Sequence, residues 1–537
     1  MKPFDADGRF RPDPETDGLR RLAVRGAGVT VFSSGLGLAF QVIATVTLAR
    51  LLTPWDFGVV TMVTTFSLLL VNFGLNGFTE AVLQSEEMDR ALASNLFWVN
   101  SGIGFLLTIA FSAAGSLLAR FYHEPLVARV AIGISLTVVI TSASVMHLAL
   151  LKRAMRFSAV SINDIVARVV SLVVSIALAW AGWGYWALVA GAIALPLSTT
   201  LGAFLLCQWI PGLPRRVPGT TSMMAFAAHV YARFSVNYFS RNMDNLLVGW
   251  RFSAEALGFY KKAYDLFALS ASQLVSPLTV VAVAALSRLQ KDPMQYRRYF
   301  LNALAVIAFV GMGLGADLTL VGKDLIRFLL GPGWEPAGRI FTFFGPGIGV
   351  MLLYGTHGWI HLSIGRADRW FRWGILEFVF TGLCFLLALR WGPVGIALAW
   401  TASFWILTMP AFWYAGKPIR LGVLPVLAAI WKYPLASGLA GCICALLLPE
   451  IPTFRTAPVG LEALARIVTV SLLFTALYLG AVVALHRGWS PLLLVAGLLR
   501  EMGSRKRISP ATVTPTRGTG TPEVLTLLGG KQTSGDV

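Results

Sequence analysis

One face of an otherwise apolar stretch, residues 222–249, carries polar and ionised side chains. Within an arc of roughly 120° on a helical wheel lie His229, Arg233, Asn237, Ser240, Arg241 and Asp244. An ionised side chain near the centre of a bilayer costs about 2.5–3.5 kcal/mol, so this face should meet protein or water instead of lipid. A guanidinium donates two parallel hydrogen bonds to phosphate oxygens and stays charged at any cellular pH. The face therefore predicts a hydrophilic cavity with cationic side chains.

Two further stretches carry polar faces that would complete such a cavity. Residues 160–181 place five polar side chains within an arc of roughly 80°, namely Ser161, Asp164, Arg168, Ser171 and Ser175. Residues 27–49 carry a neutral stripe formed by Thr30, Ser34, Gly37, Gln41 and Thr45. The candidate ligand-binding residues are Arg233, Arg241, Arg168, Asn237 and Gln41. The candidates for polar cavity groups, or for groups that couple ion movement to transport, are Asp164, Asp244, His229, Ser240 and Glu377.

A simpler interpretation of several of these charges stays open. Asp164 and Arg168 stand at positions i and i+4, and Arg241 and Asp244 at i and i+3, so each pair can neutralise itself on one helix. Arg233 has no acid within one turn. Glu377 is the lone acid of residues 370–389 and suits either a coupling-ion site or a structural pair with Arg372.

The elements that must position these residues are predicted to be transmembrane helices. Apolar residues make up 56% of the 537-residue chain, charged residues 13%, and the mean hydropathy is +0.70. Soluble domains carry about 25% charged residues, and a helix of about 20 apolar residues crosses the hydrocarbon layer. Fourteen stretches qualify: 27–49, 57–83, 94–119, 126–150, 160–181, 184–210, 222–249, 256–286, 299–321, 337–364, 370–389, 393–415, 427–449 and 464–486. The fold class is an all-α polytopic membrane protein.

The net charge of +18 is distributed as membrane topology requires. The two terminal tails and the connections on their side carry 29 Lys and Arg residues, against 12 in the connections opposite. The positive-inside rule then places both termini in the cytoplasm. Topology and contact with anionic lipids account for the basic excess, so nucleic-acid binding is not predicted.

Three segments recur in the same order at offsets between 200 and 213 residues. The pairs are Leu51–Val59 with Arg251–Phe259, Arg153–Phe157 with Arg366–Trp370, and Trp183–Leu188 with Trp391–Ile396. Because each half holds six helices, an even number, the halves are parallel repeats with a binding site between them. The predicted organisation is a cytoplasmic tail (1–26), two six-helix bundles (27–215 and 216–420), two additional helices (421–490) and a disordered cytoplasmic tail (491–537).

Several of these stretches resemble the bacterial polysaccharide flippases of the colanic-acid and lipopolysaccharide exporter type. The matching residues are Ala49–Pro54, Asp56–Gly58, Gly77–Gln84, Ser240–Gly249, Ala256–Tyr260, Leu286–Gln290 and Gly331–Ala337. The resemblance implies membership of the multidrug, oligosaccharidyl-lipid and polysaccharide exporter superfamily and alternating access between two bundles. It implies as substrate an undecaprenyl-diphosphate-linked oligosaccharide, whose diphosphate would meet Arg233, Arg241 and Arg168. It also implies polysaccharide polymerases and glycosyltransferases as candidate partners.

Two other functions, multidrug export and polysaccharide polymerisation or ligation, fit the sequence less well than a flippase. A cation-coupled multidrug exporter needs an acidic pocket, whereas the central face here is cationic. A membrane polysaccharide polymerase or ligase needs a large loop to hold catalytic groups, whereas the longest loops here span about 15 residues. The sequence contains no Gly-rich phosphate loop followed by Lys and Ser or Thr, so neither ATP hydrolysis nor a cofactor is predicted.

Overall fold

The computed structural model describes residues 1–10, 19–85, 87–215, 217–447, 459–489, 491–493 and 497. Residues Met1–Gly488 form one compact unit. The first half contains α1 Leu19–Leu51, α2 Pro54–Asn72, a π-helical turn Phe73–Phe78, α3 Thr79–Gln84, α4 Arg90–Tyr122, α5 Leu126–Arg153, α6 Phe157–Trp180 and α7 Tyr185–Cys207. The second half contains α8 Thr220–Arg251, α9 Ala254–Arg288, α10 Pro293–Leu330, α11 Glu335–Gly355, α12 His357–Ser363, α13 Ala367–Ala388 and α14 Gly392–Gly416. The helices α15 Val423–Ile430, α16 Lys432–Leu447 and α17 Val459–His486 follow.

The observed helices confirm the predicted fold class. Each of the fourteen predicted stretches overlaps a helix or a pair of consecutive helices. Eleven segments of the described residues are long and apolar enough to cross a membrane, and one of them, Ala367–Ile419, contains two predicted spans. The charged helices α8 and α9 are not among the eleven. The total of fourteen spans therefore stays a prediction.

The first repeated segment forms a reciprocal contact between the two halves. Thr53 caps α2 in a capping box with Asp56, and Ser253 caps α9 through the Ala256 amide. A Cβ atom on Gly58 would clash with the Ala254 carbonyl, and one on Gly258 would clash with the Pro54 carbonyl. The close crossing of α2 and α9 thus requires both glycines. They are 200 residues apart in sequence, and each faces the first turn of the other helix.

Further contacts close the same end of the molecule, which we call the distal face because it is opposite Met1. The Trp334 indole donates to the Ala49 carbonyl at 2.9 Å, and its ring packs edge-on against Phe57. Arg50 donates to the Phe328 carbonyl at 2.6 Å, which joins the end of α1 to the end of α10. The two halves are consequently sealed together at the distal face.

The first ten residues pack on the first half at the opposite end, here called the N-terminal face. The Met1 ammonium donates to the Leu206 carbonyl at 2.8 Å, and the Arg90 amide donates to the Gly8 carbonyl at 2.8 Å. Phe4 contacts Trp209 with ring centroids 5.8 Å apart. The predicted tail 1–26 therefore begins with a segment that covers the ends of α4 and α7, while residues 11–18 lie outside the described residues.

The additional helix α17 is fixed to α10 of the second half. Ser471 donates to the Asp317 carboxylate at 3.0 Å, and Arg466 pairs with Asp324 at 3.5 Å. The Tyr478 hydroxyl donates to the Phe309 carbonyl at 2.7 Å. These contacts place α17 beside the second half and outside the repeat.

Candidate functional site

The first cluster of candidate residues lies where α1 packs against α6. Arg168 Nε pairs with Asp164 Oδ2 at 2.8 Å, and the two side chains are 40% and 48% exposed. Gly37 of α1 faces the Arg168 guanidinium, since a Cβ there would lie 3.5 Å from its Nε. Gln41, one turn further along α1, is exposed. The polar stripes of α1 and α6 thus face each other around one guanidinium.

The ion pair in this cluster leaves the Arg168 side chain 40% exposed. A guanidinium in such a pair can exchange its carboxylate partner for a phosphate, with which it forms two charge-assisted hydrogen bonds. The self-neutralising pair considered from the sequence is therefore present, and it is compatible with anion binding.

The second cluster surrounds Arg241 in the second half. Arg241 is exposed, and its charge interacts with Glu377 of α13 and with Tyr354 of α11. Tyr354 also hydrogen-bonds Glu377, and the Trp373 indole donates to the Tyr354 hydroxyl at 2.7 Å. Glu377 therefore interacts with groups from α8 and α11, whereas the sequence suggested Arg372 of its own helix.

Asp244 occupies a different environment from the one expected. Its carboxylate is buried, with 0% of the residue exposed, and accepts hydrogen bonds from the Tyr260 hydroxyl at 2.7 Å and the Trp400 indole at 2.9 Å. The helical wheel placed Asp244 on the cavity face beside Arg241. The wheel fixes only the direction of a side chain, and here α9 and α14 cover that side of α8. Asp244 thus holds the core of the second half together.

We expect Asp244→Ala to destabilise the second half. Two buried donors, the Tyr260 hydroxyl and the Trp400 indole, would lose their acceptor, at about 1–3 kcal/mol for each unsatisfied group. The midpoint of thermal unfolding in detergent should fall clearly. The matched change at a half-exposed acid, Asp164→Ala, should leave the midpoint almost unchanged, and an equal fall in both variants would contradict this assignment.

The structure describes the side chain of one of the four remaining candidates on α8. His229 is exposed, and its Nδ1 lies 2.7 Å from the Ala225 carbonyl of its own helix. The side chains of Arg233, Asn237 and Ser240 lie outside the described residues, although their backbone belongs to α8. In the described part of the chain, no group of three or more His, Cys, Asp or Glu is arranged to hold a metal ion.

Helix α8 belongs to the second half in sequence but also packs against the first half. The Tyr238 hydroxyl donates to the Thr65 carbonyl at 2.7 Å, and the Tyr231 hydroxyl donates to the Leu69 carbonyl at 3.1 Å. A Cβ on Gly77 would lie 2.8 Å from the Ala227 carbonyl, so the π-helical turn Phe73–Phe78 allows α8 to approach closely. π-Helical turns are frequent at functional sites. The helix that carries Arg241 is thus in contact with both halves.

Each half thus carries one exposed guanidinium whose charge interacts with a carboxylate, Arg168 with Asp164 and Arg241 with Glu377. Tyr354 and Trp373 were missed from the sequence, since aromatic residues in an apolar helix give no signal that separates packing from a polar role. Tyr354 of α11 links the two helices, since it hydrogen-bonds Glu377 and accepts from the Trp373 indole of α13.

A family model described as "Polysaccharide biosynthesis protein" matches residues 47–339. The teichuronic acid biosynthesis protein TuaB of Bacillus subtilis is 25% identical over 386 residues, which cover 68% of this chain and 77% of that protein. The lipopolysaccharide biosynthesis protein WzxC of Escherichia coli is 21% identical over 413 residues, which cover 75% and 82%.

Two solved structures share the fold. The lipid II flippase MurJ in an inward closed conformation superimposes with a TM-score of 0.67 at 14% identity, over 85% of this chain and 98% of that one. An inward-facing multidrug resistance MATE family transporter superimposes with a TM-score of 0.55 at 13% identity, over 72% and 94%. The chain therefore has the fold that these two transporters share.

Proposed function

The chain belongs to the polysaccharide biosynthesis protein family, and from this premise we propose that it flips lipid-diphosphate-linked oligosaccharides between the leaflets of the membrane. The observation that carries the proposal is the pair of exposed guanidinium groups within membrane helices, Arg168 in the first half and Arg241 in the second. Ionisable side chains within membrane proteins mark substrate or ion pathways, so two guanidinium groups on these helices favour an anionic ligand. A lipid-linked diphosphate supplies that anion, and undecaprenyl diphosphate is its expected form.

The two clusters suggest how a diphosphate is held. One phosphate accepts hydrogen bonds from Arg168 and displaces Asp164, while the other accepts from Arg241 and displaces Glu377. The polar faces of α1 and α6 contact the sugar, whose hydroxyl groups need hydrogen-bond partners in place of water. When Arg241 binds the phosphate instead, the Glu377 carboxylate loses a nearby positive charge and binds a proton or a cation more readily. Substrate binding and ion binding are thereby linked.

The translocation step requires the seal at the distal face to open. The crossing of α2 and α9 is close and symmetric, so it can act as the pivot or as the gate between two rigid bundles. Release on the distal side follows when the Gly58 and Gly258 contacts separate. The N-terminal face is the cytoplasmic side by the positive-inside rule. The transport we propose runs from this side to the distal side.

The role of the protein is transport without catalysis, for the assembly of exopolysaccharide, capsule or lipopolysaccharide at the bacterial inner membrane. Both termini are then cytoplasmic. Polymerases that extend the glycan outside and glycosyltransferases that build it inside are the expected neighbours, with α16 and α17 as their contact surface.

The transported class of compound is tested in proteoliposomes that contain the purified full-length protein. We expect a fluorescent undecaprenyl-diphosphate oligosaccharide to become accessible to an impermeant quencher, and a cationic dye to stay in place under an ion gradient. Liposomes with heat-inactivated protein serve as the control. Movement of the dye without movement of the lipid would support a multidrug exporter and overturn the proposal.

A further inference from the structure

A cavity of about 470 Å³ lies at the N-terminal face of the second half, apart from both guanidinium clusters described above. Three arginines from three separate elements line it: Arg297 of α10, Arg366 of the α12–α13 turn, and Arg420 after α14. Apolar atoms of Ile364 and Pro418 line other parts of its wall. The cavity is therefore cationic and amphipathic.

Hydrogen bonds between the surrounding elements hold this cavity in shape. Arg297 donates through Nε at 3.0 Å and Nη2 at 2.7 Å to the Ile419 carbonyl, which joins α10 to the segment after α14. The hydroxyls of Tyr296 and Ser363 are 2.6 Å apart, and the Gln290 amide donates to the Ser363 carbonyl. The walls from α9, α10 and α12 are thus cross-linked, and the site needs little rearrangement to accept a ligand.

Acids of the protein balance only part of the positive charge at the cavity. Arg366 pairs with Asp368 at 3.0 Å, and Asp292 is engaged as the cap of α10. Further exposed cations adjoin the lining residues in the chain, namely Arg288, Lys291, Arg298 and Lys417. Converging cations repel one another unless an anion lies between them. A phosphate group meets this requirement, since guanidinium binds it in a bidentate manner.

The position of the cavity selects the source of the phosphate. It lies at the ends of α9, α12 and α14, on the face that carries the basic excess. The ends of helices that span the hydrocarbon layer meet the lipid head groups. Basic pockets between helices at the cytoplasmic surface bind anionic lipid head groups. The apolar wall suits the glycerol and the first acyl carbons that follow such a phosphate. A free phosphate would make no use of that wall.

We propose that this cavity binds the phosphate of an anionic phospholipid of the cytoplasmic leaflet, such as phosphatidylglycerol or cardiolipin. The lipid bridges the start of α10, the α12–α13 turn and the segment after α14. It therefore stabilises the N-terminal face of the second half, whichever substrate the protein transports.

The test measures lipid binding to the full-length protein by native mass spectrometry and by the rise in thermal midpoint on lipid addition. Phosphatidylglycerol should bind and raise the midpoint, and phosphatidylcholine should not. The double variant Arg366→Gln, Arg420→Gln should bind phosphatidylglycerol about 10- to 30-fold more weakly, given the contribution of each arginine to anionic-lipid attraction. The control Arg390→Gln, at the distal end of α13, should bind as the native protein does.

A charge-retaining variant separates loss of the site from loss of the fold. Arg366→Lys, Arg420→Lys should keep most of the phosphatidylglycerol binding. The proposal is overturned if phosphatidylcholine binds equally well, if Arg390→Gln weakens binding as much as the double variant, or if inorganic phosphate protects the protein as well as the lipid does.

Discussion

Replacing Arg241 by glutamine is expected to slow the flipping of a lipid-diphosphate oligosaccharide about 10- to 100-fold. A hydrogen bond to a charged group contributes roughly 1.5–3 kcal/mol, and each 1.4 kcal/mol corresponds to a factor of about ten. Arg241 is exposed and interacts with Glu377 and Tyr354, so glutamine removes the cation without disturbing the core. The initial rate of quencher accessibility in proteoliposomes measures the effect.

Two further variants make this expectation specific. Arg241→Lys keeps the charge but loses the planar fork, so its rate should lie between those of the native protein and Arg241→Gln. Arg251→Gln removes an exposed cation at the end of the same helix and should flip at the native rate. A native rate for correctly inserted Arg241→Gln protein would remove Arg241 from the binding site.

Replacing Gly58 by alanine is expected to abolish most transport by forcing α2 and α9 apart. The added Cβ would clash with the Ala254 carbonyl, and contacts below 3.0 Å are essentially never observed for Cβ atoms. Because alanine favours helix more than glycine, loss of function cannot be attributed to local unfolding of α2. A cysteine introduced by Ala49→Cys, in a background without native cysteines, should become reactive to an impermeant maleimide from the distal side.

The repeat supplies a second test of the same contact. Gly258→Ala creates the reciprocal clash with the Pro54 carbonyl and should reproduce both effects of Gly58→Ala. Gly102→Ala is the matched control, since nothing lies within 4 Å of a Cβ at that position of α4. Native transport and an unreactive Ala49→Cys thiol in the Gly58→Ala protein would show that the close crossing is dispensable.

The helices and the first repeat were predictable because their signals are local. Apolar runs of membrane length specify helices whatever surrounds them, and the segments around Gly58 and Gly258 match in type and spacing. The polar stripes on α1 and α6 were predictable as faces turned toward a cavity, and in the structure they meet at Gly37 and Arg168. The ion pair of Asp164 with Arg168 followed from i,i+4 spacing alone.

The environments of the acids were not predictable, since they depend on which helix covers each face. Asp244 and Arg241 are three residues apart, yet one is buried beneath Tyr260 and Trp400 while the other is exposed. Glu377 interacts with Arg241 of α8 and Tyr354 of α11, and both lie more than 20 positions away in sequence. The dual contacts of α8 also have no sequence signature, because two tyrosine hydroxyls bonded to backbone carbonyls can join any neighbouring helix.

The most direct measurement compares flipping of two lipids that differ only in the linkage, an undecaprenyl diphosphate and an undecaprenyl monophosphate carrying the same fluorescent oligosaccharide. The native protein and the double variant Arg168→Gln, Arg241→Gln should be reconstituted separately in proteoliposomes of the same lipid composition. Two guanidinium groups that share a diphosphate predict fast flipping of the diphosphate by the native protein, slow flipping of the monophosphate, and no such preference in the double variant. Equal rates for both lipids, or an undiminished preference in the folded double variant, would contradict the account.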